Sequence, residues 1–92
     1  MPKPKDYSVQ GITDWLERQE LYVKAVKDND PTWKDRPKKT ATLILDYMAQ
    51  IRKRIAGRTA TDQIDPLTRS LVQDIVELQI EIDRMTTRYV RL

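Results

Sequence analysis

The chain has no cysteine, no histidine and no phenylalanine, and only two glycines. Each absence removes a class of chemistry. Without Cys there is no disulfide and no thiolate, which suits a reducing compartment, and a cytoplasmic location is expected. Without His the usual general base and the commonest metal ligand are gone, and with Cys missing as well a zinc site has none of its ordinary ligands. A Ser-His-Asp triad cannot be built, and the two serines, Ser8 and Ser70, have no Lys at an activating spacing. Gly11 and Gly57 are too few and too far apart for a phosphate-cradling loop. Long apolar runs are also missing. The longest aliphatic stretch is Leu43-Ile44-Leu45, against the roughly 20 residues of a membrane span. The segment from Met1 to Tyr7 carries two Pro and two Lys in place of the apolar core of a secretory signal. A soluble protein follows as the expectation.

Carboxylates are plentiful but poorly arranged for catalysis. Asp62 and Asp65 sit at a helix start, where capping accounts for them, and Glu77 and Glu81 lie on a polar helix face, where little desolvation would raise a pKa. Asp28, Asp30 and Asp35 lack the Gly and the closing Glu of a calcium loop. No catalytic, cofactor-binding or metal-binding residue emerges, and the chain is expected to be non-catalytic.

The 92 residues are 34% charged and 39% apolar, so one thin-cored domain is expected, provided periodicity concentrates the apolar residues. It does. Residues 1–11, with their prolines and Gly11, show no period and are expected to form a flexible arm ahead of a single helical domain over 12–92. Ile12, Trp15, Leu16, Tyr22, Val23 and Val26 recur in steps of three and four, predicting a helix over about 13–28 with Thr13 as N-cap. Asp28-Asn29-Asp30-Pro31 ends it. A connector over 30–39 follows, in which Trp33 reads as a plug over the core edge or, alternatively, an exposed partner contact.

The second helix is expected over about 40–56, with Ile44, Tyr47, Met48, Ile51 and Ile55 on one face and Gly57 as its C′ residue. After a connector, Asp65-Pro66 pairs an N-cap carboxylate with Pro at the first helical position and predicts a third helix over about 66–91. The fold expected is all-α: a three-helix bundle or hairpin with a long C-terminal helix.

That last helix is the most informative. Leu71, Ile75, Leu78, Ile82, Met85, Tyr89 and Leu92 follow a 4-3-4-3-4-3 spacing, a heptad seam with Ile75, Ile82 and Tyr89 at a. A second stripe at the same spacing is charged, acidic at Asp74, Glu77 and Glu81 and then basic at Arg84, Arg88 and Arg91. Folded as a hairpin on the second helix, the third would overhang by its last nine or ten residues, roughly 13 Å at the helical rise. An apolar strip left uncovered there, from Met85 to Leu92 among three arginines, points to a protein partner or a second copy. In composition the chain is similar to small helical assembly factors of bacteria and phages.

The rival reading is nucleic acid. Net charge is +3, but residues 31–58 hold eight basic and two acidic residues. Lys34, Arg36, Lys38, Lys39, Arg52, Lys53, Arg54 and Arg58 form a basic block able to meet phosphates non-specifically. Lys34 to Lys39 are expected on the connector, and Arg52 is expected beside Asp74 and Glu77. The connectors are too long for a helix-turn-helix.

Overall fold

The computed structural model describes residues 3–28 and 35–90; for Val26, Asp28, residues 35–37 and residues 85–90 only the backbone is described. The protein is all-α. Its helices are α1 (Val9–Asp28), α2 (Asp35–Ile55) and α3 (Pro66–Val90). Among the described residues the one departure from helix and loop is a single antiparallel bridge between Ser8 and Gln63.

The start of α1 corrects two expectations. The helix begins at Val9, not near Thr13, and the residues before it are tied down. Ser8 is the N-cap: its hydroxyl accepts the Gly11 N–H at 3.1 Å, and its carbonyl accepts from Ile12 N at 2.9 Å. Asp6 in turn accepts from the Ser8 N–H at 2.9 Å and from its hydroxyl at 2.8 Å. Two further N–H groups of the first turn, on Val9 and Gln10, donate to the carbonyls of Asp62 and Ala60 in the α2–α3 connector. Ile64 N–H returns the link to the Tyr7 carbonyl at 3.0 Å. Pro4 and Ser8 are buried and Tyr7 half-buried, with the Arg69 guanidinium 4.1 Å from the Tyr7 ring centre. Thr13 lies inside the helix and donates its hydroxyl to Val9 O. Gly11 is no helix breaker. A Cβ there would stand 2.5 Å from the Asp6 carbonyl oxygen, so the crossing of the N-terminal segment requires glycine.

α2 also begins earlier than expected, at Asp35. Pro37 falls in its first turn, where the missing N–H would have had no helical partner. The C-terminal end follows expectation. Gly57 has φ of +76° just past Ile55, and Arg58 N–H donates to the Ile55 carbonyl. α3 starts as Asp65-Pro66 predicts, with Asp65 accepting the Thr68 N–H at 2.7 Å.

The helix directions follow from these ties. α1 begins against the connector that joins the end of α2 to the start of α3. Contacts then advance together along α1 and α3, from Gln19–Gln79 to Tyr22–Asp83. α1 and α3 therefore run parallel, and α2 runs against both. The backbone of α2 approaches each neighbour closely, while α1 and α3 stay farther apart and meet through long side chains.

The core sits on α2's stripe of Ala41, Ile44, Met48, Ile51 and Ile55, all buried. α1 adds Val9, Ile12, Trp15, Leu16 and Val23; α3 adds Val72, Ile75, Val76 and Ile82, and the connector adds Ile64. Two buried glutamines, Gln19 and Gln79, occupy core positions between the outer helices.

Candidate interface between α2 and α3

α3 does not turn its heptad seam squarely into the core. Ile75 and Ile82 are fully buried, but Leu71 and Leu78 are only half-buried. The buried face instead takes in Thr68, Val72, Val76 and Gln79, to one side of the seam. This rotation follows from having two neighbours. α3 packs on α2 and also reaches α1, so its core face is broader than a seam and centred between the two. One edge of the seam, Leu71 and Leu78, packs against the core with part of its surface left exposed. Met85 and Tyr89 have only their backbone described, and Leu92 and Arg91 lie outside the described residues.

Leu78 of that edge lines a surface groove of about 350 Å³ between α2 and α3. Leu43 and Tyr47 supply the α2 side, Leu78 the α3 side, and Asp74, Glu77 and Glu81 form an acidic rim. Leu43 is 39% exposed, and Ile80 farther round α3 is equally so. Sequence reasoning placed Leu43 and Tyr47 on the second helix but did not join them to the α3 stripe. The signal was present, since Leu43 and Tyr47 are four apart and flank the core stripe. Arg84, next along the charged stripe, is exposed, and Arg88 follows on the helical backbone.

The overhang expected for α3 is shortened at the level of the backbone, and the side chains of its strip from Met85 to Leu92 lie outside the described residues. α2 is five residues longer at its start than the periodicity predicted, which extends it by about 7.5 Å along α3. α1 also runs alongside, with the Tyr22 hydroxyl donating to Asp83 at 2.5 Å.

The basic block is divided. Lys38 and Lys39 stand in the first turns of α2, not on a connector, whereas Arg52, Lys53 and Arg54 occupy its last turn. About 14 residues of helix separate the groups, or roughly 20 Å. Arg52 pairs with Glu20 of α1, not with Asp74 or Glu77. Glu20 is also held by Lys24 at 2.8 Å, and the Lys24 ammonium, with help from Arg52, keeps its carboxyl below the ordinary value. Arg58 lies 3.7 Å from Asp65, whose carboxyl is lowered chiefly by the Thr68 N–H. Lys34 lies outside the described residues, and for Arg36 only the backbone is described. Lys38 and Lys39 share a shallow groove with Lys27 and Thr42, so this group of lysines joins α1 to α2. Lys27 lies outside the basic block of residues 34–58 in the sequence and joins it only in the fold.

Among the described residues no helix is long and apolar enough to cross a membrane. No protein-family model matches the chain, and no curated protein or solved structure matches it significantly.

Proposed function

We propose that this chain is a non-catalytic helical assembly protein, a small subunit or adaptor that self-associates through its C-terminal helix and works in the cytoplasm. In this reading the three helices act as a bundle whose long, heptad-patterned third helix is shared between its own core and a partner. One observation carries it: α3 leaves the Leu71 and Leu78 edge of its seam half-buried beside the exposed Leu43. A helix patterned for burial along a line that its own chain covers only in part is suited to a second helix.

Absolute mass in solution tests this, by light scattering on a sizing column at low and high salt. A defined oligomer that survives high salt is expected, since its centre is apolar. Tyr89→Asp and Leu92→Asp should dissociate it with helicity retained. A 10.9 kDa species at every concentration would overturn the reading.

A second reading, non-specific contact with nucleic acid, is favoured by the three lysines, Lys27, Lys38 and Lys39, around one groove. Lys38→Glu with Lys39→Glu should then abolish DNA or RNA binding in a gel-shift assay while leaving the mass unchanged. Binding that persists would remove it.

A further inference from the structure

We infer that the occupant of the α2–α3 groove is the basic C-terminal half of α3 from a second copy of the chain, laid antiparallel. This rests on the assembly reading and names its partner and geometry. The argument is charge complementarity in register. The acidic positions of the α3 stripe are 74, 77 and 81, and the basic ones are 84, 88 and 91. These two sets are mirror images about the point between Ile82 and Asp83.

An antiparallel copy centred on that point sets Glu81 opposite Arg84 and Glu77 opposite Arg88. The sequence continues the match with Asp74 and Arg91. Every acid thereby meets a base, and the two-fold axis makes each pair twice. A parallel copy in register would instead set each charge beside its own kind. The side on which the match falls is the rim of the groove, where Asp74 and Glu77 are exposed and Glu81 half-buried.

Exposed ion pairs contribute little stability each. Their part here is to select orientation and register, and the groove's apolar residues supply the affinity.

Charge exchange tests the register on the full chain. E77R/E81R alone and R84E/R88E alone each place like charges in all the central pairs, and each should raise the dimer dissociation constant by at least about tenfold. An equimolar mixture of the two variants restores every opposite pair and should recover the dimer mass. Circular dichroism should show helicity unchanged in both. Orientation is read separately. Because the chain has no native cysteine, a single spin label at Gln73→Cys reports one distance. The antiparallel register separates the two labels by about 28 Å along the axis, whereas a parallel pair holds them at about 10 Å. A dimer that persists in both variants, or a label distance near 10 Å, overturns this inference and leaves the assembly reading standing. A monomer at every concentration overturns both.

Discussion

The side-chain amide of Gln79 donates to the amide oxygen of Gln19 at 3.2 Å, across the interior between two helices that run parallel. Both residues are buried, and Gln79 is wholly so. The Gln79 amide oxygen has no hydrogen-bond partner among the described residues. A polar pair of this kind adds little net stability, but breaking it leaves a desolvated amide. Its effect is to set which turn of α1 lies beside which turn of α3.

The pair should respond asymmetrically to mutation. Gln79→Ala removes one partner and leaves Gln19 unsatisfied, and should cost about 1–3 kcal/mol in urea unfolding. Replacing both by Leu removes the polar demand altogether and should be neutral or stabilising. If the double variant is less stable than Gln79→Ala, the pair contributes more than this account allows.

The two glycines should differ in how they fail. Gly11→Ala pushes a methyl group into the Asp6 backbone and should cost about 1–3 kcal/mol through overpacking. Gly57 has open space around it but a positive φ, so Gly57→Ala should cost only about 1 kcal/mol of backbone strain. Thermal melts of both variants check the order. Equal melting temperatures would show that the N-terminal segment gives way at no cost.

The caps at Ser8 and Asp65 are expected to behave alike. Ser8→Ala removes the acceptor for the Gly11 N–H, and Asp65→Ala the acceptor for the Thr68 N–H. Both should destabilise, Ser8→Ala by about 1 kcal/mol. Hydrogen exchange at Gly11 and Thr68 reports each loss locally. Unchanged protection at Gly11 in Ser8→Ala would mean that the connector carbonyls hold that end unaided.

Acid should weaken the fold in a defined direction. The carboxyls of Asp6, Glu20 and Asp65 are held below their ordinary values, by the Ser8 N–H, by Lys24 with Arg52, and by the Thr68 N–H respectively. A depressed carboxyl binds fewer protons in the folded chain than in the unfolded one. Its stabilisation is present above the unfolded value, near 3.8 for Asp and 4.5 for Glu, and is lost as pH falls through the lower folded value. The urea midpoint should therefore stay level from pH 7 to about 5.5 and fall below about 4.5. A midpoint that rose on acidification would contradict these assignments.

Much of the fold was legible residue by residue. Asp65-Pro66 and Gly57 mark element ends through chemistry contained within a few positions, and the steps of three and four along each helix located most of the core. Gln19 and Gln79 are invisible to a periodicity of apolar residues alone. Both sit at core spacing, Gln19 between Leu16 and Val23, and Gln79 between Ile75 and Ile82. The N-terminal segment looked structureless because its partners, the carbonyls of Ala60 and Asp62, are about 50 residues away in the chain. The groove was legible only as two separate stripes, one on each helix.

The sequence by itself determined that the chain is helical, where α2 stops and α3 starts, and that α3 carries an apolar seam beside a stripe whose charge reverses halfway. Local chemistry suffices for these, because caps, breakers and periodicity act within one or two turns. Only the tertiary structure decided that Arg52 meets Glu20 and not the acids of α3, that Ser8 and not Thr13 caps α1, and that α3 turns its seam partly away from the core. Those outcomes depend on which helix faces which. A helix with two neighbours points its core face between them, and the direction of that compromise is not encoded in the spacing of any one helix.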